Sequence, residues 1–158
     1  KRRDNLPQDG TAALTRDLLK YHEKTGAFPE DLKSLVGKVW DAKKEREFDP
    51  SGKVFRHHNV YYLYSRQNSH LFSFWAVPSG ERREEGVSWY ISASPNAIRR
   101  WKGPAIAASE IDKLAFPPSV QSLALLGLTE QSPTDLRKSP SPNNQPQKNM
   151  QTPLPINK

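Results

Sequence analysis

Apolar residues recur at helical spacing near the start of the chain. Leu14, Leu18 and Tyr21 stand at positions i, i+4 and i+7, which places them on one face of a helix. Gly26 follows at the point where a residue in the left-handed conformation would end that helix. The pattern therefore predicts an amphipathic helix over residues 11–24.

A second, shorter apolar segment comes directly after this helix. Pro29 suits the first turn of a helix, where its missing N–H group has no cost. Leu32, Leu35 and Val36 then supply apolar contacts on one side. We expect a long helix followed by a short one.

Aromatic and β-branched residues then come in runs separated by short turn-forming segments. Asp-Pro-Ser-Gly at residues 49–52 suits a type I turn before the first run. The runs predict successive antiparallel strands at 60–65, 71–77, 88–93 and 97–101. A helix followed by a meander of three or four strands is the order of an α+β fold, with the helix packed on the sheet.

The apolar pattern weakens after the predicted strands. Residues 109–114 predict one helical turn, and residues 119–128 predict another short helix with Val120, Leu123 and Leu126 turned inward. We expect both short helices to close the folded domain.

The C-terminal segment differs from the rest of the chain in composition. Residues 132–158 consist mainly of Ser, Pro, Asn, Gln and Lys and carry six of the 14 prolines. Such a segment cannot bury enough apolar area to offset a backbone ordering entropy of roughly 1–2 kcal/mol per residue. The sequence therefore predicts an α+β domain at 1–131 and a flexible tail at 132–158.

Composition and charge restrict the classes of function. The chain has 158 residues with 24 Lys and Arg against 17 Asp and Glu, a net charge of +7, and 35% hydrophobic residues. It contains no cysteine, so disulfides, thiolate zinc sites and Cys nucleophiles are excluded. No apolar window reaches the roughly 18 residues that a membrane-spanning helix needs, so we expect this chain to be soluble as it stands.

Histidines are the candidate nitrogen ligands for a metal ion. The four lie at positions 22, 57, 58 and 70. His57 and His58 are adjacent, and neighbouring side chains on a strand point to opposite faces, so we expect that they cannot chelate one ion. Spacings such as His-x-Glu-x-x-His are missing. We predict no metal site and no cofactor.

Catalytic motifs are also missing from the sequence. No Gly-x-Ser-x-Gly, P-loop or Gly-x-Gly-x-x-Gly pattern occurs, and no nucleophile stands at an informative spacing from a base. We predict a non-enzymatic protein without catalytic residues. A small hydrolase that lacks a recognisable motif is the enzyme alternative.

Basic and aromatic residues suggest a second alternative, a basic sheet domain that binds single-stranded nucleic acid or another acidic polymer. Small basic groups occur at 1–3, 43–46, 82–83 and 99–102. Aromatic residues that could stack on bases are Tyr62, Tyr64, Trp75, Trp89 and Trp101. We favour the interpretation that these rings face the core while Arg and Lys face water. One reason is that Glu84 and Glu85 directly follow the basic pair at 82–83 and cancel its field.

Three short motifs and their order resemble the soluble part of type IV pilin-like proteins, particularly the pseudopilins of type II secretion. The first, at residues 18–35, is LLKYHEKTGAFPEDLKSL. The second, at 49–55, is DPSGKVF, and the third, at 72–78, is FSFWAVP. The N-terminal apolar helix and prepilin cleavage signal of that family are not in this sequence.

The resemblance implies a pilin-like fold and an assembly role. It leads us to expect a non-enzymatic subunit of a bacterial envelope filament or type II secretion apparatus, which contacts other pilin-like or secretion-system subunits. The expected location is the periplasmic or extracellular face of the cell envelope, with a membrane anchor N-terminal to this chain. The calcium site of major pseudopilins would need clustered carboxylates near the C-terminus. The acids there, Glu110, Asp112, Glu130 and Asp135, do not form such a cluster in the sequence.

Overall fold

The computed structural model describes residues 2–41, 47–81 and 83–132 of the chain. Its helices are α1 (Arg2–Thr25), α2 (Ala108–Lys113) and α3 (Val120–Leu125), with two short 3₁₀ helices, η1 (Leu32–Leu35) and η2 (Arg83–Glu85). Its strands are β1 (Glu47–Phe48), β2 (Val54–His57), β3 (Val60–Asn68), β4 (Leu71–Pro78), β5 (Val87–Ser94), β6 (Ala97–Pro104) and β7 (Thr129–Glu130). The predicted tail lies outside the described residues from position 133 onward, as does the basic group at 43–46.

The seven strands form one antiparallel sheet in the order β1 to β7, so that each strand pairs with its neighbours in the sequence. The central strand β4 pairs with β3 through Tyr62↔Ala76 and with β5 through Phe74↔Ile91. Its residues from Phe72 to Pro78 are all buried. A strand buried continuously along its length is covered on both faces, and this sheet has a layer on each side.

The first layer consists of α1 and η1, and we call the core beneath it the helix-side core. Leu14 and Leu18 of α1 are buried there, and Tyr21 is half-buried against them. The sheet contributes alternate residues of each strand: Tyr62, Tyr64, Phe72, Phe74, Ala76, Trp89, Ile91 and Ala93. Leu32 and Leu35 of η1 complete this core.

The second layer consists of α2, α3 and the segments around them, and we call the core beneath it the far-side core. Ile111 of α2 and Leu123 of α3 are its helical contributions. The sheet supplies the residues that alternate with those of the helix-side core: Val54, Tyr61, Trp75, Val77, Tyr90 and Trp101. Ile106 and Leu128 fill the remaining space between the helices and the sheet.

The predicted fold class, an N-terminal helix on a three- or four-stranded pilin-like sheet, is wrong. The sheet has seven strands, and a second layer of short helices packs on the face opposite α1. The predicted strands lie within β3 to β6, but β1, β2 and β7 extend the sheet on both sides. These additional strands are two to four residues long. Such short strands carry too few residues to show an alternating pattern in the sequence.

The local expectations between α1 and β3 have mixed outcomes. The short helix expected after Pro29 is a single 3₁₀ turn, and Asp31 caps it by accepting a hydrogen bond from the Ser34 backbone N–H at 3.0 Å. The turn expected at 49–52 is present, with Asp49 Oδ1 accepting hydrogen bonds from Gly52 N at 3.0 Å and Val54 N at 3.2 Å. Burial raises the pKa of Asp49, but hydrogen bonds from Ser51 and these amides outweigh it, so the pKa is lowered.

Candidate functional site

Two histidines that are far apart in the sequence meet at one end of the sheet. His22 lies in the last turn of α1, and His70 lies in the turn between β3 and β4. His22 Nε2 and His70 Nδ1 are 2.9 Å apart, a hydrogen-bond distance. His70 is exposed and His22 is half-buried, so solvent reaches the pair. We call these two residues the histidine pair.

The surroundings of the histidine pair hold both rings in place. The His22 ring packs against Phe28, with ring centroids 4.7 Å apart, and Phe28 in turn packs edge-on against Phe72 of the helix-side core. The Phe28 backbone N–H donates to the Ser69 carbonyl at 2.8 Å, which ties the segment after α1 to the β3–β4 turn. The His70 backbone N–H donates to Asn68 Oδ1 at 2.8 Å. These contacts fix the His22 ring and the backbone of His70 relative to each other.

A small charged cleft lies beside the same loop segment. It has a volume of about 250 Å³ and is lined by Glu30, Asp31, Lys53 and Arg66. Arg66 forms an ion pair with Glu30 at 2.8 Å and donates a second hydrogen bond to the Phe28 carbonyl at 3.1 Å. Because Asp31 also caps η1, most charges of the cleft are used to position the loop. These contacts stabilise the segment between α1 and η1.

The other two histidines also lie together, which corrects an expectation. We expected His57 and His58 to point to opposite faces of a strand, but their ring centroids are 3.9 Å apart. The reason is that β2 ends at His57, while His58 and Asn59 have positive φ angles of 52° and 63° and form the turn into β3. The alternation of a strand does not extend to a residue in the turn.

The aromatic residues that could have stacked on the bases of a nucleic acid lie inside the protein. Tyr62, Tyr64, Trp75, Trp89 and Trp101 are all buried. Their rings are packed in the two cores, so these five residues offer bases no exposed ring on which to stack. The burial of these rings agrees with the interpretation that we favour from the sequence, but Arg100 does not face water as that interpretation expects.

The basic residues of β6 are engaged with neighbouring side chains. Arg99 forms two hydrogen bonds with the Glu130 carboxylate, both 2.9 Å long, and these lower the pKa of Glu130. Arg100 is 3% exposed, lies 5.2 Å from the centroid of the Trp89 ring and donates to the Ser132 carbonyl at 3.1 Å. Lys102 approaches the same ring at 5.8 Å. These residues stabilise the β5–β7 edge of the sheet.

Exposed apolar side chains occur on α3. Leu125 is 87% exposed and Val120 is 60% exposed, although Val120 was expected to turn inward. Leu123 and Leu128 anchor this part of the chain in the far-side core, which leaves Leu125 on the opposite, solvent side of the helix. Val120 lies in the first turn, on the same side of the helix as Leu123, but the core does not cover it. Ser119 caps α3 by accepting a hydrogen bond from the Ser122 backbone N–H at 3.0 Å. We call Val120, Ala124 and Leu125 the α3 surface.

The carboxylates near the C-terminal end of the domain lie apart in separate interactions. Tyr61 donates a hydrogen bond to Asp112 at 2.8 Å, whereas Glu130 binds Arg99. Over residues 2–41, 47–81 and 83–132, no group of three or more His, Asp or Glu side chains is placed to hold a metal ion. In the same part of the chain, no helix is long and apolar enough to cross a membrane.

Comparison with protein-family models, with curated proteins and with solved structures gives no match for this chain. The candidate functional features that the structure shows are the histidine pair and the α3 surface. Sequence reasoning missed the histidine pair because its members are 48 positions apart. It missed the α3 surface because a six-residue helix has too few turns for periodicity to show which side is buried.

Proposed function

We propose that this protein is a non-enzymatic subunit of a bacterial envelope filament or type II secretion apparatus, and that it acts by contacting other protein subunits. The observation that carries the proposal is the α3 surface, in which Leu125 is 87% exposed. The motifs at residues 18–35, 49–55 and 72–78 suggest the kind of assembly. These motifs support only the assembly role, because the pilin-like fold that they also led us to expect is wrong.

A partner that covers the α3 surface would bury the exposed side chain of Leu125. Burying a leucine side chain that is otherwise in water stabilises a contact by about 1.5–3 kcal/mol. The short helix is already fixed on the domain by Leu123 and by the Ser119 cap, so little ordering entropy opposes binding. A contiguous exposed apolar patch marks a protein contact site, and the α3 surface is proposed as such a patch.

The chemistry of α3 favours a protein partner over an acidic polymer. The helix sequence, VQSLAL, contains no charged residue. A partner with an apolar helix or loop would match this surface, whereas nucleic acid requires cationic contacts to its phosphates. We therefore assign the α3 surface to a neighbouring subunit of the assembly, at the periplasmic or extracellular face of the envelope.

Site-specific photo-cross-linking in the native host tests the proposal. A cross-linking residue at position 125 should give one discrete adduct, and mass spectrometry should identify its partner as a pilin-like or secretion-system subunit. The same residue at the exposed position Lys20 on α1 serves as a matched control and should give a lower yield of this adduct. Equal yields at both positions, no adduct, or an adduct with nucleic acid would contradict the proposal.

The coding sequence upstream of Lys1 gives an independent test. An apolar run of about 20 residues with a Gly-containing cleavage site would support an envelope subunit. A cytosolic domain encoded in its place would contradict this location.

A further inference from the structure

We infer that the histidine pair, His22 and His70, is a binding site for a divalent transition-metal ion. The two facing nitrogens, His22 Nε2 and His70 Nδ1, are already 2.9 Å apart. Imidazole nitrogens are common ligands of Zn²⁺, Cu²⁺ and Ni²⁺. The inference is independent of the proposed function, since it uses neither the α3 surface nor the sequence motifs.

The geometry of the pair is close to that of a two-histidine chelate. Zinc–nitrogen bonds are about 2.0–2.1 Å long, so two nitrogens on one tetrahedral ion stand about 3.3 Å apart. The two nitrogens would therefore need to move apart by about 0.4 Å. Each ring would also have to turn, so that its lone pair points at the ion instead of at the partner nitrogen.

The protonation change is also small. In the hydrogen-bonded pair one facing nitrogen carries a proton and the other accepts it. For both lone pairs to face the metal, the donor ring must carry its proton on its other nitrogen instead. This tautomer exchange takes place through water and releases no net proton from two neutral rings.

Preorganisation distinguishes this pair from two unrelated surface histidines. His22 is fixed by α1 and by its contact with Phe28, while His70 is fixed by the β3–β4 turn. The hydrogen bond from Phe28 N to Ser69 O joins the two supports. Because the ligands need not be ordered on binding, less free energy is lost than with flexible side chains.

The exposure of the pair determines the kind of site. Two protein ligands leave at least two coordination positions of a tetrahedral ion to water or to an external donor. The stability order of divalent ions predicts that Cu²⁺ binds more tightly than Ni²⁺ or Zn²⁺. We expect an open, exchangeable site.

Isothermal titration with Zn²⁺, Ni²⁺ and Cu²⁺ tests the inference on the full chain. We expect saturable binding of one ion, and we expect His22→Gln and His70→Gln each to weaken it at least tenfold or so, because each removes one of the two protein ligands. The matched control is His57→Gln/His58→Gln, which removes the other adjacent pair. This control should change the affinity by less than about twofold, as expected for an independent site.

Nuclear magnetic resonance locates the ion without relying on variants. Zn²⁺ should shift the imidazole signals of His22 and His70 together and leave those of His57 and His58 in place. In the absence of metal, the His70→Gln variant should keep the unfolding temperature of the parent chain within a few degrees, because His70 is exposed. His22→Gln also removes the contact of a half-buried ring with Phe28, so its unfolding temperature is measured alongside its metal affinity. Absence of saturable binding, or loss of binding in the His57/His58 control alone, would overturn the assignment.

Discussion

The two faces of the sheet are covered in different ways. On the helix-side core, the 24-residue helix α1 and the 3₁₀ helix η1 cover a surface made largely of aromatic rings. On the far-side core, two helices of six residues each cover Trp75, Tyr90 and Trp101. Among the described residues, the large apolar side chains that remain exposed, Val120 and Leu125, lie on the layer over the far-side core.

The difference shows that a long helix can bury its apolar side chains on the sheet, whereas a short helix leaves some of them exposed to a partner. A long helix places several apolar residues on the sheet in one continuous face, as Leu14 and Leu18 do here. A six-residue helix makes fewer than two turns, so anchoring through Leu123 leaves Leu125 directed to solvent. We therefore expect substitutions in α1 to affect folding, and substitutions on the α3 surface to affect binding.

The largest expected effect compares two leucines, one in each layer. Leu18 is fully buried in the helix-side core, so Leu18→Ala should lower the free energy of unfolding by about 2–5 kcal/mol. Leu125→Ala should change it by less than about 0.5 kcal/mol, because that side chain is mostly in water already. Urea denaturation of both variants measures the contrast. Similar losses would show that α3 and α1 contribute equally to stability.

The second prediction concerns the contact between α1 and the sheet at Gly10. A methyl group at this position would overlap the hydroxyl of Tyr62, which is itself buried. Gly→Ala in a helix ordinarily stabilises it by about 0.5–1 kcal/mol. Here the overlap should reverse the sign, and Gly10→Ala should lower the free energy of unfolding by about 1–3 kcal/mol.

Removal of the Tyr62 hydroxyl provides the control for the Gly10 experiment. The double variant Gly10→Ala/Tyr62→Phe should recover most of the lost stability, because Phe lacks the atom that the new methyl group meets. A double-mutant cycle measured by urea denaturation isolates this coupling. If Gly10→Ala alone stabilises the protein, α1 does not approach the sheet this closely.

The sequence predicted the central strands of the sheet because they combine aromatic residues with clear boundaries. Val60 to Tyr64 and Leu71 to Val77 are examples, each bounded by turn-forming residues. It did not predict the size of the sheet, since β1 and β7 have two residues each and owe their pairing to tertiary contacts. The number of strands, and therefore the fold class, could not be inferred from local patterns.

The candidate sites were harder to predict from the sequence than the strands. Neither His22 nor His70 has a partner at a spacing typical of metal ligands, and only the folding of the β3–β4 turn against α1 brings them together. The pairing of His57 with His58 depends on positive φ angles in a two-residue turn. Exposure of Leu125 depends on how α3 is rotated, which six residues do not encode in their pattern.

The third prediction uses Tyr61, a polar link between the sheet and α2. Burial, the hydrogen bond to Asp112 and the charge of that carboxylate together raise its pKa to about 12. Since the folded pKa lies above the usual value of 10.0, Tyr61 contributes stability that is fully present below pH 10 and is lost as the pH rises toward 12.

Asp112→Asn should lower the pKa of Tyr61 toward 10, although burial should keep it above that value. The stability of this variant should therefore decline less steeply between pH 10 and pH 12 than that of the parent chain. Its loss at neutral pH should be about 0.5–1.5 kcal/mol, typical of one hydrogen bond. Urea denaturation at several pH values measures both effects, and Tyr61→Phe removes this titration as a control. An unchanged slope in Asp112→Asn would contradict the role of the carboxylate.

The smallest expected effect is the binding of single-stranded DNA to either face of the sheet, measured by tryptophan fluorescence. The rings of Trp75 and Trp89 are buried, so oligonucleotide should not quench their fluorescence. Binding at physiological salt should be no tighter than roughly micromolar, within the ordinary nonspecific range of about 10⁻⁴ to 10⁻⁶ M. Arg99→Glu/Lys102→Glu should weaken even this binding, because it removes two exposed cations of β6.

Arg100 is left unchanged in that variant because it is buried and bound to the Ser132 carbonyl, so its replacement would test folding instead of binding.

Each phosphate contact on a single strand should contribute a slope of about −0.7 to the dependence of log affinity on log salt concentration. A shallow slope for the parent chain would agree with the scattered positions of its basic residues. Nanomolar binding with a steep slope and quenched tryptophan fluorescence would mean that the sheet opens to nucleic acid. In that case the layer over the quenched ring would be a movable cover, the far-side layer for Trp75 or the layer of α1 and η1 for Trp89. The comparison between the two faces would then concern access to the sheet as well as stability.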